Sequence, residues 1–218
     1  QTNTSTFKFS GDFLLFIDSK NEIPILITED YKSYKGYNFD AFQLDSIPKD
    51  IPLKDIIAKS LSNKTYLMDE GCGPVFLLDD DSLSRVDKTF RHRNQFNANV
   101  FLHDNKIHYF GGYGLFTDKN IITYFDESIG EWFERKIVSE QLPVPRSSAE
   151  GILLNDQLYI WGGAIKDKAI YSKELNDSYL WRLDLKSNSW SNIGLVAQLP
   201  KISKTISFRS LNSLDLFF

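Results

Sequence analysis

Apolar positions come in runs of about five residues separated by short polar breaks, a pattern that predicts strands rather than helices. It is clearest between residues 97 and 137. Residues 97–103 are apolar enough for an inner strand and lead into the turn dipeptide Asp104-Asn105. Residues 106–110 (Lys-Ile-His-Tyr-Phe) predict a second strand, stopped by Gly111-Gly112. Residues 121–125 predict a third strand, 126–130 a tight turn with Gly130 near its end, and 132–137 a fourth strand. Connections this short make neighbouring strands antiparallel, so the segment reads as one four-stranded antiparallel unit.

The unit then recurs. Residues 150–154 predict its first strand, Asn155-Asp156 the turn, and 158–161 the second strand, again stopped by a diglycine, Gly162-Gly163. Residues 179–185 predict the third strand, 186–188 a turn, and Trp190 opens the fourth. Asp126 and Trp132 in the first unit correspond to Asp184 and Trp190 in the second. The diglycines lie 51 residues apart and the tryptophans 58, so seven residues are inserted within 164–176. Loops tolerate such insertions and strands do not.

Elsewhere the pattern is weaker. Leu199-Pro200 matches Leu142-Pro143, and strands at 206–211 and 214–218 around Asn212-Ser213 predict part of a further unit. Phe218 falls where Trp161 sits, just before a diglycine, so residues are expected to follow it; the alternative is that 214–218 pairs with N-terminal strands. Upstream, residues 65–68, 75–78 and 83–86 predict three strands, with Gly71-Cys72-Gly73 in the diglycine position and an Asp79-Asp80-Asp81-Ser82 turn. Residues 13–17 and 23–27 predict two strands around an Asp18–Asn21 turn. Residues 31–62 are least regular. Leu53, Ile56, Ile57 and Leu61 have helical spacing, which predicts at most one short helix near 53–61, or a loop with a single helical turn. The expected partition is an irregular N-terminal part (1–63), a degenerate unit (64–90), two clear units (91–141 and 142–197) and a partial unit (198–218), all within one domain or fragment.

A repeat of about 50 residues with these landmarks resembles the kelch repeat family. Residues 97–137 and 147–193 carry the resemblance well, 64–87 weakly. It implies an all-β fold, a kelch-type β-propeller of four-stranded antiparallel blades, incomplete or with few blades. It does not imply one function, since kelch propellers include scaffolds, adaptors, carbohydrate-related enzymes and copper oxidases. Independently of the family, Gly111, Gly112, Gly162 and Gly163 read as structural, allowing close approach of adjacent sheets. Trp132 and Trp190 read as fillers between units, with an indole N–H needing an acceptor.

Composition narrows the function classes. The 218 residues carry 25 basic and 29 acidic side chains, well mixed, for a formal net charge of −4. A nucleic-acid surface needs a clustered basic excess, so none is expected. No run of about 18 apolar residues exists, so no transmembrane helix is expected. The start at Gln1, without Met and followed by polar residues, fits an exported protein whose signal peptide has been removed, with a cytoplasmic location as the alternative. Cys72 is the only cysteine, which excludes an intramolecular disulfide and a cysteine-based zinc site. His92, His103 and His108 share no metal-ligand spacing, and the copper site of propeller oxidases cannot be mapped onto any residue here. Asp79-Asp80-Asp81 lacks the spaced oxygens and glycine of a calcium loop and reads as a solvated turn. Ser147-Ser148 lacks a nucleophile elbow, and no phosphate-binding glycine motif precedes a helix. No metal or cofactor is expected.

Loops remain. Those joining strands 2–3 and units to one another share one face, and that face collects Tyr113, Phe116, Arg91, Arg93, Arg146 and the 164–176 insertion. Aromatics beside arginines are the composition of a binding hot spot. The reading is a binding module that takes a protein or glycan on this face. Against it stands the possibility that Tyr113 and Phe116 pack on the next unit and the arginines pair with local acids. The alternative function is a carbohydrate-active enzyme, isomerase-, mutarotase- or oxidase-like, with Arg91, Arg93, Arg146 and Glu150 in a central funnel.

Overall fold

The computed structural model describes residues 11–90, 94–165 and 179–195. The predicted strands at 206–211 and 214–218, Arg91, His92, Arg93 and most of the 164–176 insertion lie outside them. The described chain is all-β and forms four four-stranded antiparallel sheets in chain order, none of them closed. Sheet 1 contains β1 (Phe13–Asp18), β2 (Ile23–Thr28), β3 (Ser33–Lys35) and β4 (Asp40–Phe42). Sheet 2 contains β5 (Ile56–Leu61), β6 (Lys64–Asp69), β7 (Val75–Asp79) and β8 (Ser82–Arg85). Sheet 3 contains β9 (Asn99–His103), β10 (Lys106–Phe110), β13 (Ile122–Asp126) and β14 (Glu131–Glu134); a two-stranded hairpin, β11 (Tyr113–Gly114) and β12 (Thr117–Asp118), springs from its middle loop. Sheet 4 contains β15 (Glu150–Leu154), β16 (Gln157–Trp161), β17 (Tyr179–Asp184) and β18 (Ser189–Leu195).

Consecutive sheets share cores. Leu14, Phe16, Ile25 and Ile27 of sheet 1 pack with Ile56, Leu67 and Leu78 of sheet 2. Tyr66, Met68 and Val75 of sheet 2 pack with Val100, Ile107, Tyr109 and Phe125 of sheet 3. Phe101, Phe110 and Ile122 of sheet 3 pack with Leu158, Ile160, Trp181 and Trp190 of sheet 4. A sheet between two others buries both faces: Leu67 points one way, and Tyr66 and Met68 the other. Each fully buried side chain of this size contributes about 1.5–3 kcal/mol.

Two-sided burial also explains the one segment whose periodicity misleads. Only Leu53–Asp55 form a helical turn, a single 3-10 turn, and Ile56–Leu61 are strand β5. Ile56 and Ala58 face the sheet 1 core, while Ile57 and Leu61 face the sheet 3 core. Apolar residues on both faces of a strand imitate helical spacing, and the β-branched Ile56-Ile57 pair favours the strand. Sheet 2 therefore starts at Ile56, inside the stretch read from sequence as irregular, and the degenerate unit has four strands. The N-terminal part holds a four-stranded sheet of its own, completed by the short β3 and β4.

The turns are local consequences of sequence. Ser62-Asn63, Asp104-Asn105 and Asn155-Asp156 join the first and second strands of sheets 2, 3 and 4, with both residues of each pair at positive φ. That is the backbone of a two-residue hairpin turn, which Asn and Asp tolerate. Asp126 Oδ1 accepts the Ser128 N–H, and Asp184 Oδ1 accepts those of Lys186 and Ser187. Each Asp thus closes the turn into the fourth strand, where Trp132 pairs with Phe125 and Trp190 with Leu183. The Asp-to-Trp spacing records that turn.

Candidate binding face

The diglycines sit where linkers cross the ends of the sheets. Beyond Gly112, Tyr113 exchanges backbone hydrogen bonds with Phe96 of the linker entering sheet 3. Beyond Gly163, Ala164 does the same with Ser147 of the linker entering sheet 4. Arg146 is fully buried. Its Nε donates to the Val144 carbonyl at 2.9 Å and its Nη1 to the Gly162 carbonyl at 2.9 Å. Its own carbonyl accepts the Gly112 N–H and its N–H donates to the Lys119 carbonyl. Arg146 therefore clasps the middle loop of sheet 3 to the diglycine of sheet 4, and its guanidinium is not presented to solvent. Glu150, which the enzyme reading would place beside it, is exposed at the start of β15.

Sequence reasoning missed the counterpart, Gln95. Its amide donates to the Gly111 carbonyl at 3.0 Å and its oxygen accepts the Thr123 hydroxyl at 2.7 Å. The Asn94 and Gln95 N–H groups both donate to the Gly71 carbonyl of sheet 2. Gln95 stands before Gly111 as Arg146 stands before Gly162, in the register of the repeat, and that register was the available signal. Arg and Gln share no chemistry that a residue-type search would match.

The hairpin β11–β12 carries what the face offers. Tyr113 is half-buried, whereas Leu115 is 70% exposed and Phe116 95% exposed. Leu115 (φ 51°) and Phe116 (φ 68°) are the two central turn residues, so two bulky apolar side chains occupy left-handed positions that Asn or Gly fill at lower cost. Phe116 does not pack on a neighbouring sheet among the described residues.

The other candidates are structural where they are described. Trp132 donates its indole N–H to the Gly73 carbonyl at 2.7 Å and lies edge-on to Tyr109, bridging sheets 2 and 3. Trp190 packs against Phe110 between sheets 3 and 4. Cys72 occupies its diglycine position at φ 71° and is buried, which pushes its thiol up to about 12; it is no nucleophile at neutral pH. Lys20 lies 2.7 Å from Asp80 and Lys35 lies 2.8 Å from Asp81, so two lysines of sheet 1 offset most of the charge of the acidic turn. Burial holds the His108 imidazole down at about 4, with Arg135 and His103 adding to the effect. No group of three His, Cys, Asp or Glu side chains among the described residues is placed to hold a metal ion. No helix of the described residues is long and apolar enough to cross a membrane. No protein-family model and no curated protein sequence matches the chain.

Proposed function

We propose that the four sheets are consecutive blades of a kelch-type β-propeller and that the chain is a protein-binding module anchored by Leu115 and Phe116. The blade reading is supported by the recurring diglycine–linker clasp and by the shared core between each consecutive pair of sheets. The observation that carries the binding reading is the hairpin tip. Two adjacent large apolar side chains stand in solvent on a backbone that disfavours both, a cost that folding alone does not repay. An aromatic and an aliphatic anchor of this kind suit a hydrophobic pocket on a protein partner. A glycan would need polar donors beside the aromatic, and the Arg146 donors are turned inward.

The double variant Leu115→Asn/Phe116→Gly separates function from stability. It restores the residue types that the turn favours, so the protein is expected to gain about 1 kcal/mol in urea denaturation. The same variant is expected to lose a partner captured by the wild type in a pulldown from the source cell. Capture of the same partner by both proteins would refute the anchor role.

A further inference from the structure

The end of β14 leads into a polar pocket between sheets 3 and 4, of about 390 Å³, lined among others by Asp104, His108, Glu134, Arg135, Lys136 and Asn188. That volume is in the range of small-molecule sites. Arg135, one of the lining residues, is half-buried. Its Nε donates to Asn188 Oδ1 at 2.6 Å, its Nη2 to the Leu185 carbonyl, and its Nη1 faces His108 Nε2 at 3.4 Å. The Lys106 carbonyl lies 3.2 Å from His108 Nδ1, so the ring proton belongs on Nδ1 and the Nε2 lone pair meets the guanidinium. All three partners are neutral. Among the described residues no carboxylate lies within ion-pair distance of Arg135, although Asp104 attracts it from farther off. A guanidinium half withdrawn from water gains from an anion beside it, and two of its five N–H donors are not used by these bonds.

We propose that the pocket binds a small hydroxylated monocarboxylate, with the carboxylate seated on Arg135 and Lys136. Lys106 contributes no free charge, because its ammonium is committed to Asp126 at 2.5 Å. The remaining charges, Arg135 and Lys136 against Asp104 and Glu134, sum to zero, so the site tolerates a single carboxylate seated directly on the two cations and disfavours a dianion. The rim carboxylates accept hydrogen bonds, so a ligand whose hydroxyls donate to them fits better than a bare acid. The pocket lies at the end of the sheets where β9 turns into β10 and β17 into β18, opposite the β11–β12 hairpin, so its test is independent of the anchor reading.

Calorimetric titration of the full chain with glucuronate, lactate, glucose and inorganic phosphate tests the assignment. Glucuronate is expected to bind, lactate to bind more weakly, and glucose not at all. Arg135→Gln is expected to weaken glucuronate binding at least tenfold. Because Arg135 also bonds to Leu185 and Asn188, that variant can lose stability. Lys136→Gln, at an exposed position, is expected to keep the wild-type Tm and weaken glucuronate binding severalfold. Absence of glucuronate binding, tighter binding of phosphate than of glucuronate, or unchanged affinity in Lys136→Gln would each overturn the proposal.

Discussion

Gly112→Ala is expected to destabilise the protein by about 3 kcal/mol or more, a large share of the stability of a typical domain. Two costs combine. Gly112 has φ +90°, a backbone conformation that side chains rarely adopt. A Cβ built there would lie 2.6 Å from the Gln95 carbonyl oxygen and 2.7 Å from the Gln95 carbonyl carbon. Those atoms are main chain, held by the Tyr113–Phe96 bonds on one side and the Gly71 bonds on the other. The linker cannot retreat without breaking the clasp between sheets 2 and 3. Gly36 supplies the control: it has φ +77° but nothing within 4 Å of a built Cβ. Gly36→Ala should therefore cost only the left-handed backbone, about 1–2 kcal/mol. Urea midpoints of the two variants measure the contrast, and equal losses would show that close approach is not what selects glycine at position 112.

The same clasp shows what sequence can and cannot convey. The strands of sheets 3 and 4 were legible because each of their turns carries Asn, Asp or Gly, whose backbone preference is local. β3 and β4 were not, since three residues such as Ser33-Tyr34-Lys35 hold no periodicity. β5 was misread because packing on both faces erases the alternation that marks a strand. The site residues divide in the same way. Tyr113 and Phe116 were singled out as candidates by composition, but the hairpin beneath them was hidden, because Leu115-Phe116 is not a turn dipeptide. Arg146 suggested a surface cation because charge is visible in a sequence and burial among carbonyls is not. Arg135 gave no signal, since two of its three neutral partners, Asn188 and Leu185, come from another sheet and its interest lies in having no ion-paired carboxylate among the described residues.

Asp87→Ala is expected to cost about 3 kcal/mol at pH 7, mainly because it strands the groups that the carboxylate satisfies. The Asp87 side chain is completely buried. Its Oδ1 accepts the Val75 N–H at 2.8 Å and Arg85 Nε at 2.9 Å. Its Oδ2 accepts Arg85 Nη2 at 3.0 Å, the Thr89 N–H at 2.8 Å and the Thr89 hydroxyl at 2.7 Å. These bonds tie β7 to the linker leaving sheet 2, where the neighbouring Lys88 N–H reaches the Gly130 carbonyl of sheet 3. Arg85 is half exposed, so water screens its share and the backbone and Thr89 bonds carry most of the loss. Burial alone would raise the Asp87 pKa, yet the bonds from Arg85, Val75 and Thr89 outweigh it and hold the carboxyl below its ordinary value. A folded-state pKa below the unfolded value of about 3.9 means that this stabilisation is complete above that value and is lost as pH falls through the folded one. The stability gap between the wild type and Asp87→Ala should accordingly be constant from pH 7 to about pH 5 and shrink below pH 4. Urea denaturation of both proteins across that range measures it. A gap that stays constant down to pH 2.5 would show that Asp87 titrates alike in the folded and unfolded chain, and that shape rather than charge makes the knot.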